Sequence, residues 1–187
     1  MKLRIVAGAL KGRHLTLSDK WAKFRPTQER VRQALVEKIK QYIPGAIAAD
    51  LCAGSGALGF ELISRGAAAV HFVESDKMYC RKIVEHASGF AVEARCIVHS
   101  EDIRRFTARP GGAYDILFYD PPYEDAQLAG QAPGLLTLLA PEGVLIYEHD
   151  VEHAGAMNVS WPERADELFL RETRRYGNTV VEFFFRR

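Results

Sequence analysis

The chain has 187 residues, of which 48% are hydrophobic and 26% charged, and its formal net charge is +1. This length and composition fit one globular domain, or one domain with a small extension, and exclude wholesale disorder. No apolar run approaches the roughly 18 residues of a membrane span, and the N terminus lacks the apolar stretch of a signal peptide. The three cysteines show no metal-ligand spacing. We therefore expect a reduced cytoplasmic protein with no membrane segment and no bound metal.

The predicted elements begin with two short strands, residues 3–7 and 13–17, joined as a β-hairpin. A loop follows, and apolar residues at helical spacing then predict a helix that begins at Thr27 and ends before Pro44. Farther along, strands and helices alternate, which predicts an α/β fold with a parallel sheet. The predicted strands are 47–50, 68–74, 94–99, 115–119 and 143–148, and the predicted helices are 57–65, 76–88, a short one after the third strand, and 127–139. Residues 167–175 and 179–186 predict a closing antiparallel hairpin.

Charge is distributed unevenly along this order of elements. Residues 1–32 contain four Lys and five Arg against Asp19 and Glu29, which gives +7. Because the whole chain carries +1, the remaining residues carry −6. A basic head on an acidic body predicts that the head contacts an anionic partner.

A glycine-rich turn follows the first strand of the alternating region. Residues 50–59 read DLCAGSGALG, so glycines stand at 54, 56 and 59 between a strand and a helix. Glycines let the backbone approach a ligand closely, and the helix N terminus offers free N–H groups. Glu74 ends the next strand, where one carboxylate can accept from both hydroxyls of a ribose. Together these features predict a cofactor that contains adenosine, and a dinucleotide remains possible from this pattern alone.

A second motif, Asp120-Pro121-Pro122-Tyr123, follows the fourth strand of the alternating region. It would lie at the carboxyl edge of the sheet, where ligands bind in such folds. The prolines stiffen the loop and remove two N–H donors. The Asp120 carboxylate and the Pro121 carbonyl then offer two acceptors, and Tyr123 offers a flat apolar face. This arrangement suits a planar base that carries an exocyclic amine.

These two motifs together are similar to those of the amino-methyltransferases that use S-adenosylmethionine. Further segments narrow the resemblance to the RsmD family of 16S rRNA guanine-N2 methyltransferases; they are residues 4–8, 11–15, 25–35, 64–67 and 148–150. The resemblance spans nearly the whole chain. It implies a Rossmann-like methyltransferase fold whose C-terminal hairpin completes a seven-stranded mixed sheet. We expect residues 1–26 to form a basic N-terminal hairpin or arm and residues 27–187 the methyltransferase domain.

The resemblance also implies roles for the matching residues. Asp120, Pro121 and Tyr123 would bind the target base and orient its amine. The positions that would hold S-adenosylmethionine are Asp50, Ala53, Gly54 and Gly56 along its methionine and ribose, Glu74 and Ser75 at the ribose hydroxyls, and Glu101 or Asp102 at the adenine. We interpret His99 as a residue at a strand end and Cys52 as a small packed side chain.

The expected partner is 16S rRNA or the assembling small ribosomal subunit, and the expected oligomeric state is a monomer. Arginine pairs well with phosphate, so the basic head is predicted to contact RNA through Arg13, Arg25, Arg30 and Arg32. Three alternatives remain. An N6-adenine methyltransferase uses the same logic at residues 120–123, a nicotinamide oxidoreductase shares the glycine pattern, and a non-catalytic RNA-binding module would share the basic head.

Overall fold

The computed structural model describes residues 2–16, 29–108, 112–122, 124–151, 159, 161–162 and 165–187, and only the backbone of residues 166 and 167. The predicted site residues Arg25 and Tyr123 and the predicted helix start at Thr27 lie outside the described residues.

The secondary structure follows the predicted alternation. The strands are β1 (Lys2–Arg4), β2 (His14–Thr16), β3 (Ile47–Leu51), β4 (Ala69–Glu74), β5 (Cys96–Ser100), β6 (Tyr114–Tyr119), β7 (Leu139–Asp150), β8 (Phe169–Tyr176) and β9 (Thr179–Arg186). The α-helices are α1 (Glu29–Lys38), α2 (Ala57–Ser64), α3 (Lys77–Gly89), α4 (Ile103–Thr107), α5 (Ala126–Ala129), α6 (Ala132–Leu135) and α7 (Ala165–Leu168). Short 3-10 turns occupy Lys40–Tyr42, Glu93–Arg95 and Leu136–Leu138.

Seven strands form one mixed sheet in the order β5-β4-β3-β6-β7-β9-β8. Strands β3 to β7 are parallel, whereas β9 runs antiparallel to β7 and β8 antiparallel to β9. The predicted α/β fold, with its C-terminal hairpin and small N-terminal hairpin, is confirmed. The ends of β3, β4, β5 and β6 meet along one side of the sheet, which we call the carboxyl edge.

The prediction of one continuous helix over residues 127–139 is wrong. The segment is divided into α5, α6 and a 3-10 turn, and β7 already begins at Leu139 rather than at residue 143. Gly130 ends α5, and Pro133 starts the next helix near its N terminus, where the missing N–H of proline costs nothing. The early part of β7 pairs irregularly with β6, with a register shift between Tyr114 and Ile116.

Helices cover both faces of the sheet. On one face α1, α2 and α3 pack with Leu35, Phe60 and Ile83 at 0% exposure. On the other face α4, α6 and α7 contribute side chains such as Ile103 and Leu135. Within the described part of the chain, no helix is both long enough and apolar enough to cross a membrane.

The N-terminal hairpin packs on the first of these faces. Its buried side chains Ile5, Leu10 and Leu15 join the same core as α1 and α2. Leu3 packs on Tyr79 near the start of α3, whereas Gly8 lies against Ser64 at the end of α2. Because α2 and α3 begin at the carboxyl edge and run away from it, the open end of the hairpin lies nearer that edge than its turn does.

Candidate functional site

The loop between β3 and α2 lies at the carboxyl edge and is shaped by left-handed backbone. Gly54 has φ 51° and Gly56 has φ 72°, conformations that glycine adopts without strain. Gly56 is also the N-cap of α2 and has no side chain to cap it, so the first N–H groups of the helix face the loop. At Gly59 a Cβ atom would lie 2.2 Å from the ring of Phe72, so this glycine allows α2 to pack closely on β4.

Asp50 is a buried carboxylate beneath this loop, with only 2% exposure. Its Oδ2 accepts a hydrogen bond from the Gly59 N–H at 3.0 Å. Burial above all, together with the nearby carboxylates of Asp120 and Glu74, raises the pKa of Asp50 to about 8, against the opposing effect of the Gly59 hydrogen bond. Desolvation and like charges both disfavour the ionised form, so a cation bound here would be favourable.

Glu74 joins the loop after β4 to the glycine-rich loop. Its Oε2 accepts from the Gly54 N–H at 2.7 Å, and its Oε1 accepts from the Asp76 N–H at 2.8 Å. The Ser75 hydroxyl lies 3.4 Å from the same Oε1. Each carboxylate oxygen has a second lone pair, so Glu74 is held rigidly while it can still accept a hydroxyl proton.

Four carboxylates surround Cys52 at this edge. Burial raises the pKa of the Cys52 thiol, and Glu74, Asp120, Asp50 and Asp102 each add to that shift. The thiol is therefore held neutral, in agreement with its interpretation as a small packed side chain. The structure thus brings three of the predicted cofactor residues together with the predicted catalytic Asp120.

Asp120 directly follows β6, between the buried Tyr119 and the buried Pro121. The Tyr119 hydroxyl donates to the Leu128 carbonyl at 2.6 Å, and the Pro122 carbonyl accepts from the Asp125 N–H at 3.0 Å. These contacts fix both ends of the loop after β6. Asp120 is only half-buried, so the loop holds a carboxylate at a surface that a substrate can reach.

The two candidates for the adenine end have different surroundings. Asp102 caps α4, and both of its oxygens bind Arg104: Oδ1 accepts from the backbone N–H and Nε at 2.8 Å each, and Oδ2 from Nη2 at 2.7 Å. The Glu101 side chain is 12% exposed and its Oε1 lies 3.7 Å from His99 Nδ1. The Glu101 N–H donates to the Glu74 carbonyl at 3.0 Å, which joins the β4 and β5 loops.

Arg32 requires a correction among the predicted RNA contacts. It is 2% exposed, its Nε lies 3.6 Å from Glu61 Oε1, and its Nη2 donates to the Arg4 carbonyl at 2.8 Å. A guanidinium buried between the hairpin and α2 cannot reach a phosphate. Arg32 precedes Leu35 and Val36 by three and four residues, so it lies on the same buried face of α1 as these two side chains.

The remaining described cations of the head lie on the surface. Arg13 is exposed, with its guanidinium 5.8 Å from the ring centre of Phe90, and Arg30 is exposed on the first turn of α1. Lys2 and Lys11 are also exposed. Since Arg13 and Lys11 adjoin the hairpin turn, they lie farther from the carboxyl edge than Lys2 does.

Sequence reasoning missed the residues that fasten the hairpin. The Val6 N–H donates to Glu61 Oε1 at 2.8 Å, the Leu10 N–H to Ser64 Oγ at 2.9 Å, and the Thr16 N–H to His86 Nε2 at 3.0 Å. Glu61 and Ser64 are buried polar residues on an otherwise apolar helix, and that was the signal available in the sequence. These contacts attach the hairpin to α2 and α3.

Comparisons with known proteins agree with this geometry. The family described as "Conserved hypothetical protein 95" matches residues 3–185. "Ribosomal RNA small subunit methyltransferase D" of Escherichia coli is 32% identical over 155 residues, 81% of this chain and 77% of that protein. "Putative rRNA methyltransferase YlbH" of Bacillus subtilis is 29% identical over 99% of this chain and 100% of its own length. The solved structure of "Putative methyltransferase yhhF from Escherichia coli" superposes with a TM-score of 0.84 at 25% identity, covering 100% of this chain and 98% of that one.

The sheet order, the glycine-rich loop and the acidic carboxyl edge define a Rossmann-like methyltransferase fold. Within that class, the family model matches residues 3–185, and the 32% identical relative is named Ribosomal RNA small subunit methyltransferase D. The chain belongs to the RsmD family.

Proposed function

We propose that this protein transfers a methyl group from S-adenosylmethionine to the exocyclic N2 amine of a guanine in 16S rRNA. The observation that carries the proposal is the group of carboxylates at the carboxyl edge, where Asp120 lies beside Asp50 and Glu74. The names of the relatives, which are rRNA methyltransferases, support the RNA substrate.

The charge of the site fits this cofactor better than a dinucleotide. S-Adenosylmethionine carries a sulfonium and an ammonium group, both cationic, whereas a dinucleotide carries an anionic pyrophosphate. The negative charges of Asp120 and Glu74, added to burial, raise the pKa of Asp50. A cationic ligand relieves this repulsion and a pyrophosphate increases it. The charge of the site therefore supports S-adenosylmethionine over a dinucleotide, both of which the glycine pattern left open.

The proposed roles follow the predicted assignment. Asp50, Ala53, Gly54 and Gly56 would line the methionine and ribose portion. Glu74, with Ser75 beside it, would accept the ribose hydroxyls through the lone pairs left by its two backbone donors. Because Asp102 caps α4 and is paired with the cationic Arg104, which neutralises its charge, we propose that the Glu101 side chain binds the adenine amine.

The chemistry requires an oriented amine more than an acid or a base. When bound, the cofactor supplies an electrophilic methyl group on a positively charged sulfur. The Asp120 carboxylate and the Pro121 carbonyl would accept the two N–H bonds of the guanine amine and direct its lone pair towards that methyl. As the new N–C bond forms and the methyl–sulfur bond breaks, the amine nitrogen becomes positive; Asp120 would stabilise this charge and accept the proton that the nitrogen loses during or after the transfer. Tyr123 would stack on the base.

We propose that the basic head holds the RNA. Residues 1–26, with Arg30, would contact the phosphates, and Lys2, Lys11, Arg13 and Arg30 are exposed cations among the described residues. Arg13 and Arg25 remain proposed contacts, whereas the buried Arg32 does not. Neutralising several phosphates releases counterions, so binding would weaken steeply with salt.

Methylation of adenine N6 is the second candidate, because Asp120-Pro121-Pro122-Tyr123 would hold that amine equally well. The experiment that tests the proposal incubates the protein with methyl-labelled S-adenosylmethionine and one of three substrates: protein-free 16S rRNA, small ribosomal subunits lacking the modification, or double-stranded DNA. We expect label in one of the RNA arms. Label in DNA alone would contradict the proposal.

A further inference from the structure

Two histidines, His71 and His99, form a row of polar contacts that leads to Glu101, the proposed adenine-binding residue. His71 Nδ1, on β4, is 2.9 Å from His99 Nε2, on β5, and the two rings stack with centroids 5.1 Å apart. His99 Nδ1 in turn lies 3.7 Å from Glu101 Oε1. The row therefore runs from the sheet face to the carboxylate that we assign to the adenine amine.

Aromatic side chains fix both rings. Phe106 of α4 meets His99 edge-on with centroids 4.9 Å apart. Tyr114 of β6 meets His71 edge-on at 5.3 Å, with its hydroxyl 3.5 Å from His71 Nδ1. Three strands and one helix thus hold the pair, so the imidazoles have little freedom to turn away from each other.

The proton positions in this row of contacts follow from the donors and acceptors available. Burial and the neighbouring His99 lower the pKa of His71, which favours its neutral form. One proton lies between His71 Nδ1 and His99 Nε2. If His71 donates it, a neutral His99 carries its own proton on Nδ1, which faces the Glu101 carboxylate. The opposite order would point a nitrogen lone pair at that carboxylate, which is repulsive. The favourable order points the Nδ1–H of His99 towards Glu101 Oε1, 3.7 Å away, which is an electrostatic contact.

We propose that His99, held by His71, is a positioning residue that fixes the Glu101 carboxylate and thereby sets the preference of the cofactor site for a 6-amino purine. The inference rests on the proposed function, since it requires an adenosyl cofactor at this edge. The Glu101 N–H bond to the Glu74 carbonyl supports it, because the same backbone contact sets the spacing between the proposed ribose and adenine acceptors.

The preference of the site for one purine ligand over another can be measured, and a histidine that acts only in folding would not change it. S-Adenosylhomocysteine presents an amino donor at the purine 6-position, whereas S-inosylhomocysteine presents a carbonyl oxygen that a carboxylate repels. The measured quantity is the ratio of the two dissociation constants, obtained by calorimetry for each protein. We expect the wild type to prefer the adenosyl ligand by about tenfold or more, the range for a hydrogen bond to a charged group.

Two substitutions at His99 separate its nitrogens from its packing. His99→Phe keeps a ring against Phe106 but removes both nitrogens, and we expect the ratio to fall about three- to tenfold. His99→Gln keeps a donor and an acceptor, and we expect it to restore most of the ratio. His71→Phe, which keeps the stack but removes the partner of His99 Nε2, should lower the ratio to a smaller extent and provides the test if His99→Phe does not fold. His86→Gln is the matched control, since His86 is a buried histidine that binds the hairpin through the Thr16 N–H, and the ratio should not change.

The outcomes distinguish this inference from the proposed function. A wild type that binds neither ligand overturns both. A wild type that prefers the adenosyl ligand, together with Phe variants at 99 and 71 that keep the full ratio, overturns the positioning role of His99 and leaves the proposed function intact. A lowered ratio in His99→Phe with recovery in His99→Gln supports the inference.

Discussion

The carboxyl edge and the N-terminal hairpin differ in charge and in how they are held. At the edge, carboxylates gather around Cys52, and backbone N–H groups hold Asp50 and Glu74. On the hairpin, exposed cations face outward while backbone N–H groups are held by side chains of α2 and α3. The edge therefore suits a small cationic ligand and the hairpin an extended anion. An acidic site and a basic surface can therefore lie side by side in this fold, because each region is held by hydrogen bonds of its own.

The largest expected effect is on the free energy of unfolding, and it comes from the Arg32–Glu61 pair between α1 and α2. Replacing Arg32 by Leu leaves Glu61 buried without its main cation, and breaking such a pair costs about 3–5 kcal/mol. Urea unfolding should show this loss. Arg30→Leu, two residues earlier on the exposed side of the same helix, should change the free energy of unfolding by less than about 0.5 kcal/mol. Equal losses in the two variants would mean that the Arg32–Glu61 pair does not stabilise the fold.

The next effect concerns Asp120 at the acidic edge. Asp120→Ala should lower the methyl-transfer rate by about 100-fold, because the amine loses the acceptor that orients it and stabilises its charge. Cofactor affinity should remain near that of the wild type. Asp125→Asn, in the same loop, caps α5 and serves as the control that keeps its rate. A single-turnover assay compares the three proteins, and an undiminished rate in Asp120→Ala would remove Asp120 from catalysis.

Glu74 tests the cofactor part of the same edge. Glu74→Ala removes the proposed acceptor of the ribose hydroxyls, so S-adenosylmethionine affinity should fall about ten- to a hundredfold. Asp76→Ala is a nearby control, since the Asp76 side chain caps α3 by accepting from the Met78 N–H at 2.6 Å. Calorimetry gives both affinities. Equal affinity in Glu74→Ala and wild type would place the ribose elsewhere.

The basic region should act on RNA and not on the cofactor. Changing Lys2 and Arg30 together to Gln should make the slope of log affinity for RNA against log salt concentration shallower by about one to two. Each phosphate contact contributes roughly 0.7–0.9 to that slope. The matched pair Lys11 and Arg13, near the hairpin turn, should change that slope less. Filter binding over a salt series measures both. A larger effect from the turn pair would place the RNA at the hairpin turn rather than at Lys2 and Arg30.

The smallest effect is a pH dependence at Asp50. Since its pKa is raised to about 8 by burial and by neighbouring carboxylates, Asp50 is mostly protonated at neutral pH. A cationic cofactor favours the ionised form, so binding releases a proton. Affinity should therefore rise several-fold as the pH increases from about 7 to 8 and level off above that. Calorimetry in buffers of different ionisation enthalpy measures the released proton, and Asp50→Asn should remove the pH dependence of the affinity over this range.

The sequence predicted the fold closely because its strands and helices follow plain apolar periods, and the glycine turn and Asp120 follow strand ends. It missed the break at Pro133 within a helix that otherwise had the right apolar spacing. It also assigned Arg32 to RNA, because a count of cations carries no information on burial. The His71–His99 contact joins residues 28 positions apart on neighbouring strands, so it depended on the register of β4 and β5.

The identity of the methylated nucleoside tests the central claim most directly. RNA that has been incubated with the protein and methyl-labelled S-adenosylmethionine is digested to nucleosides, which are separated and identified by mass. We predict that the label is in N2-methylguanosine, since Asp120 and Pro121 would hold the guanine amine, and that Asp120→Ala removes it. Label in N6-methyladenosine, with none in guanosine, would contradict the account.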